Sequence, residues 1–398
     1  MSTHNWRAYW DFPRTKITAL SISDDGQITL VKLAPDKRYL PICSGCQQKV
    51  RSVHSYHSRG IRDLPMGESM TLLQLQYRKV RCPRCGIRVE HHEFVAPYAR
   101  VTHRLARLIF ELCQHMTVEE VAQHYRLSWD QVKQIDKTLL QQHHEKRPLE
   151  EVNILGIDEI SVRKHHHYLT IITNYDTGEV IGVIQDRTYE TLAKFLRNLK
   201  ENNDIRINAV VIDMWDPYIK AIRECCPEAH IVFDLFHVVA AFGRVIDQIR
   251  NQEYRNTTTE MKTLLKGSRY LLLKNPQNLH PQERPRLKQI LQQNQRLALV
   301  YILRDYLKRL WQYKYRKWAQ KFLDYWCQLA QESGIAELQK FAKTLQKYSY
   351  GILNHCQYPL HTSKLEGINN KIKVIKRRAY GYHDIEYFGL KIIQATCN

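Results

Sequence analysis

No stretch of the 398-residue sequence is apolar over the roughly 18 residues that a membrane-crossing helix requires, so a membrane role is not expected. The opening residues, MSTHNWRAYWDFPR, lack the apolar core of a secretory signal, and a cytoplasmic protein is the expectation. There is no GxxxxGKS or GxxxxGKT loop, which removes the usual phosphate cradle of a nucleotide-driven machine. Acidic residues are scarce beside basic ones: 40 Asp and Glu face 60 Lys and Arg, for a formal net charge of +20. That excess points to a polyanionic partner, nucleic acid before an acidic membrane surface. Disorder is excluded by a composition that is 43% hydrophobic and 10% aromatic. The length allows two or three domains of about 150 residues, with cores large enough to need no disulfide staples. The ten cysteines, in a reducing compartment, therefore point to metal binding.

The charge is unevenly placed. Residues 1–100 carry +8, 101–150 balance, 151–240 carry −5, 241–355 carry +13 and 356–398 carry +4. A charge serving solubility alone would not leave an acidic island. A DNA-handling enzyme with a carboxylate metal site would.

Two CxxC pairs, Cys43-Ser-Gly-Cys46 and Cys82-Pro-Arg-Cys85, supply four thiolates, the set that closes a tetrahedral structural Zn²⁺ site. Residues 72–80 alternate as a strand entering the second pair. Arg81 and Arg84 beside it read as phosphate contacts. A zinc-ribbon-like domain is expected over 1–95. Residues 103–115 are helically periodic. Thr117-x-x-Glu120 and Ser128-x-x-Gln131 are capping boxes that open two more helices, separated by a break at Tyr125-Arg126-Leu127. Val132, Ile135 and Leu139 are expected inward on the second. This spacing fits a helix-turn-helix over 100–145, with Arg126, Gln131, Lys133 and Gln134 toward DNA.

The acidic block reads as three strands, a helix, a strand, a helix and a strand, the order of a ribonuclease-H-like fold. Residues 153–158 are an apolar strand ending in Asp158, and residues 207–213 one ending in Asp213. A carboxylate at such a place is costly without a metal or partner. With a third acid, the two could hold a pair of Mg²⁺ ions for phosphodiester displacement. Alternation puts Glu159 on the opposite face from Asp158. Asp216 reads as a helix cap, and His165–His167 as a polar turn with no role assigned. Near the end, Glu366, Asn370, Lys373 and Arg377 share one helical face, offering an acid, an amide and two cations; Ser363-x-x-Glu366 is also a capping box.

These blocks resemble the ISL3 family of bacterial insertion-sequence transposases, a branch of the DDE transposases. The likeness rests on Ile61-Arg-Asp-Leu-Pro65, Arg81-Cys-Pro-Arg-Cys85, Gly156-Ile-Asp-Glu159, Val211-Ile-Asp-Met-Trp-Asp-Pro-Tyr218, Phe233-Asp-Leu-Phe-His-Val238 and Glu366-Gly-Ile-Asn-Asn-Lys-Ile-Lys-Val-Ile-Lys-Arg377. They run in order from about residue 40 to the end. The resemblance implies Asp158, Asp213 and Glu366 as the metal-holding triad, with His237 near it. It implies Mg²⁺ or Mn²⁺ at the acids, and double-stranded DNA as partner through Asn370, Lys373, Lys376 and Arg377 and the N-terminal domains. Terminal inverted repeats would be cut and joined to target DNA. A homodimer is expected because two ends must be joined in concert.

The expected fold is therefore multidomain α/β. A catalytic core over 151–240 and 356–398 is split by an α-helical insertion at 241–355, which carries the largest positive charge. Trp311, Trp318 and Trp326 in that insertion read as helix-packing residues. A non-transposing nuclease of the same fold, or a DNA-binding regulator with an inactive core, are the alternative readings.

Overall fold

The computed structural model describes residues 9–148, 151–163, 167–202, 205–360 and 363–397. Two compact units divide the chain, Met1–Lys146 and Arg147–Asn398.

The first unit opens with a sheet. Strands β1 (Thr15–Ile22) and β2 (Ile28–Pro35) pair antiparallel. Strand β3 (Val53–Arg62) pairs antiparallel with β4 (Met70–Cys82), which also lies parallel to β2. Short β5 (Gly86–Val89) extends the far end of β4. The strand expected over 72–80 is thus the middle of the sheet. β1 is not legible in sequence because it is nearly all exposed and shows no apolar face. Helices α1 (His103–His115), α2 (Val118–Tyr125) and α3 (Trp129–Lys146) follow. Both capping boxes form, Thr117 with Glu120 and Ser128 with Gln131. Arg126 turns the chain between them in the left-handed region, at φ +50°. The fully buried residues of α3 are Val132, Asp136 and Leu140; of the expected Ile135 and Leu139, both are half-buried, and Ile135 packs against the same core. A polar Asp136 at the inward position hid the true stripe.

The Ile61–Pro65 block joins sheet to helices. Asp63 is 1% exposed, accepts the Thr102 hydroxyl at 2.7 Å and Arg104 Nε at 2.8 Å. The Arg62 guanidinium donates to the Tyr125 carbonyl at 2.9 Å.

The second unit contains β6 (Ile154–Arg163), β7 (His167–Asn174), β8 (Val180–Gln185), α4 (Tyr189–Asn202), β9 (Ala209–Ile212), α5 (Asp216–Cys225) and β10 (His230–Phe233). The sheet order is β10-β9-β6-β7-β8. β9 lies parallel to β6 and β10 parallel to β9, while β7 is antiparallel to both β6 and β8. β6 continues past Asp158, which therefore sits in mid-strand. Of the His165–His167 run, His165 and His166 lie outside the described residues, and His167 opens β7.

Alternation sends Leu155, Ile157, Val210 and Ile212 into one core, and Ala209, Val211, Val232 and Ile171 into the other. Such two-sided burial needs a layer on each face. The first layer is α4, α5 and a helical array: α6 (Leu235–Asn256), α7 (Thr259–Leu265), α8 (Arg269–Leu273), α9 (Glu283–Gln293), α10 (Gln295–Leu307), α11 (Arg316–Glu332), α12 (Ala336–Lys347) and α13 (Ser349–Ile352). The second layer is α14 (Ser363–Arg378) with α15 (Ile385–Thr396). α6 passes residue 240 without a break, and its Phe242 and Ile246 lie in the same core as the sheet. Trp326 is buried in that core, whereas Trp318 is exposed. Asp216 does not cap α5 through its side chain; it holds Lys347 Nζ at 2.8 Å and the Tyr348 hydroxyl at 2.9 Å. Among the described residues no helix is long and apolar enough to cross a membrane.

Candidate active site and metal centre

The parallel pairing of β6 and β9 sets Gly156 opposite Val211. Asp158 and Asp213 both lie two residues beyond that pair and meet where β9 ends beside the middle of β6. With His237, from the first turn of α6, they offer ligand atoms that all lie within 4.8 Å of one another. His237 Nδ1 is 2.8 Å from Asp213 Oδ1, and Nε2 is 4.0 Å from Asp234 Oδ2.

Burial pushes the Asp158 carboxyl above its ordinary range, and the neighbouring Asp213 carboxylate adds to the rise. The Glu159 backbone N–H donates to Asp158 Oδ1 at 2.7 Å and the Asn369 amide to Oδ2 at 2.6 Å; both act against it. Burial depresses the His237 imidazole, but the bond to Asp213 and the charges of Asp213, Asp158 and Asp234 outweigh it and raise the ring overall. Two carboxylates and an imidazole gathered within 4.8 Å form a donor set that suits a divalent cation, and a cation would relieve the cost of burying Asp158 as an anion.

Glu159 points to the other face, as alternation requires, and pairs with Arg187 at 3.2 Å. Glu366 is exposed on α14 and is not among the grouped ligand atoms. Its helix is seated by Gly156: a Cβ there would lie 2.6 Å from Leu365 Cδ2. One turn after Glu366, Asn369 reaches Asp158. Asn369 is absent from the sequence expectation, which favoured Asn370 on the exposed stripe. Only the azimuth of α14 on the sheet distinguishes the two. Glu366, Asn370, Lys373 and Arg377 are all exposed, with Lys376 partly so, while Leu365, Ile368 and Ile372 are buried beneath them.

In the first unit, Cys43, Cys46, Cys82 and Cys85 gather their sulfurs within 4.8 Å of one another, and Cys46 and Cys82 Sγ are 3.6 Å apart. Tetrahedral Zn–S bonds of about 2.3 Å need S···S separations of that order. The Gly45 N–H points to Cys43 Sγ at 3.4 Å, and a Cβ at Gly45 would lie 3.1 Å from Cys85 Sγ. The Arg84 backbone N–H, followed by that of Cys85, draws the Cys82 thiol down to about 7. The cluster fits structural zinc.

The expected DNA contacts of this unit are unequally free. Arg81 and Arg84 are exposed beside the second knuckle. Arg126 donates to Gln27 Oε1 at 3.2 Å. Gln131 is used in its capping box, Lys133 lies 5.5 Å from the Trp129 ring centre, and Gln134 is exposed with its amide on Thr138.

An acid cluster on a mixed sheet, joined to a helix-turn-helix, defines a DNA-processing enzyme. Residues 155–392 match a family model described as a transposase. Residues 90–140 match the helix-turn-helix domain of transposase family ISL3, and residues 40–85 the zinc-finger of the transposases of IS204, IS1001, IS1096 and IS1165. The transposase for insertion sequence element IS1001 of Bordetella parapertussis is 41% identical over 93% of this chain and 92% of its own length. The transposase for IS1557 of Mycobacterium tuberculosis is 26% identical over 90% of this chain and 86% of its own. The chain belongs to the ISL3 family of transposases: a DNA-cleaving enzyme with a zinc-ribbon domain and a DNA-binding helix-turn-helix.

Proposed function

We propose that the chain cuts the terminal inverted repeats of an insertion sequence and joins the freed ends to target DNA, with Asp158, Asp213 and Glu366 as its metal-holding acids. The observation that carries this reading is the convergence of Asp158 and Asp213 from adjacent strands. The sheet order supports a ribonuclease-H-like core over 151–240 and 356–398, with 241–355 inserted. Glu366 completes the triad by its place one turn before Asn369, since residues so spaced have Cβ atoms about 5–6 Å apart.

Mg²⁺ or Mn²⁺ held by these acids supplies positive charge to the reacting phosphoryl group and favours deprotonation of the attacking water or hydroxyl. The protein's own part is orientation. Asn369 and the Glu159 N–H fix the two Asp158 oxygens, and His237 fixes Asp213. Lys373, Lys376 and Arg377 take phosphates along α14, beside Asn370. Water attacks the phosphodiester at the element end, and the 3′ hydroxyl so freed attacks target DNA in line.

The zinc domain, 1–95, and the helix-turn-helix, 100–145, recognise the double-stranded repeats, with Arg81, Arg84 and Arg126 on phosphates and Gln131, Lys133 and Gln134 at the groove. The insertion adds a non-specific hold through its +13 charge. Two copies act together as a homodimer, in the bacterial cytoplasm at the nucleoid.

The test is an end-cleavage and joining assay with purified protein, an element-end duplex, a target plasmid and Mg²⁺. Both products are expected. Asp158→Ala, Asp213→Ala and Glu366→Ala should each abolish them and leave DNA binding intact. Cleavage without joining would indicate a nuclease, and unchanged cleavage by the variants would defeat the acid assignment.

A further inference from the structure

Two aromatic side chains flank the acid cluster and are not used by its metal chemistry. Phe236, the second residue of α6, is 60% exposed although its ring packs edge-on against His237 at 5.7 Å. The helix buries Val238, Phe242, Val245 and Ile246, so its seating in the fold does not depend on Phe236. Trp215 is 36% exposed, and its backbone N–H donates to the Asp213 carbonyl at 2.7 Å. Its indole is fixed in place. It lies 4.7 Å from the Arg187 guanidinium, which also stacks over Tyr168 at 4.5 Å and pairs with Glu159 at 3.2 Å. Indole Nε1 donates to the Arg187 carbonyl at 3.3 Å.

An exposed ring beside a cluster that acts on phosphodiesters meets one broad apolar surface on its substrate, the face of a nucleobase. In an intact duplex those faces are covered by neighbouring bases. A ring gains from contact only with a base that has left the stack, and such contact is indifferent to sequence. We propose that Phe236 and Trp215 stack on nucleobases next to the scissile phosphate and hold at least one of them out of the duplex. This rests on the cleavage reading given above. Arg187, clamped between Tyr168 and Trp215, is a positioning residue for the indole.

The experiment compares two element-end duplexes, one fully paired and one with unpaired nucleotides on either side of the scissile phosphate. Phe236→Ala and Trp215→Ala should each cut the paired end about tenfold more slowly, and should recover most of that loss on the unpaired end, where unstacking has already been done. Equal losses on both substrates, unchanged cleavage of both, or a change of oligomeric state that accounts for the loss would overturn the proposal. A second readout needs no catalysis. With 2-aminopurine beside the scissile phosphate and no Mg²⁺ added, wild-type protein should change the fluorescence on binding, and the two variants should bind without that change. An identical change with the variants would also overturn it. If wild-type protein cuts neither duplex, the cleavage reading fails, and the aminopurine signal still decides the stacking.

Discussion

Replacing Gly156 by alanine tests whether the seating of α14 on β6 builds the active site. The new Cβ would stand 2.6 Å from Leu365 Cδ2, 3.3 Å from Cδ1 and 3.4 Å from Cγ. Leu365 is 4% exposed in a packed core, which leaves its side chain little room to turn aside, so the helix is expected to move. Overpacking of this kind costs about 1–3 kcal/mol. The shift also strains the 2.6 Å bond from Asn369 to Asp158, and a hydrogen bond to a charged group contributes about 1.5–3 kcal/mol. The expected result is a urea midpoint lowered in proportion, with end cleavage lost more steeply than stability. Leu365→Ala removes the clashing atoms. The double variant should therefore be more stable than the two single losses predict, by a coupling of about 0.5–3 kcal/mol. Wild-type stability and cleavage in Gly156→Ala, or strict additivity in the double variant, would refute the argument.

Three further outcomes are expected. Asp158→Asn should raise the melting temperature of metal-free protein at neutral pH while abolishing cleavage. The folded-state pKa of Asp158 is raised, so its contribution is fully favourable below the unfolded carboxyl value and is lost as pH rises through the folded one; the advantage of the variant should vanish in acid. Arg104→Ala leaves the 1%-exposed Asp63 without its main counter-charge, which costs about 3–5 kcal/mol; thermal melting of the variant against wild type measures it. Cys43→Ser should release the zinc that a colorimetric chelator detects in wild-type protein, and weaken binding to an element-end duplex.

Local chemistry was readable where a short segment dictates its own structure. The capping boxes at Thr117 and Ser128 are of this kind, because the partners of each interaction lie within three residues; each CxxC pair is likewise local, although the cluster joins Cys46 to Cys82 across 36 positions. Alternation also separated Asp158 from Glu159 correctly, since a strand's two faces follow from its own period. Legibility failed where a neighbouring element decides. Asp136 is polar yet faces inward, so the stripe Val132–Asp136–Leu140 could not be seen. Asn369 and Asn370 are chemically identical neighbours, and the docking angle of α14 chooses between them. Phe236 gives no sign in sequence of being exposed; hydrophobic character alone assigns it to the core.

Asp158 and Asn369 meet across 211 positions. The ribosome therefore delivers the first unit, residues 1–146, long before the helix that carries Asn369. Domains fold as they emerge, the N-terminal one first. A message truncated between the end of the first unit and α14 would still encode the whole of that unit, and its product is expected to occupy DNA without the Asn369 contact to Asp158. Products of decayed copies of such a gene would then compete with the intact enzyme for the same sites, so that broken copies would act as a brake on a working one.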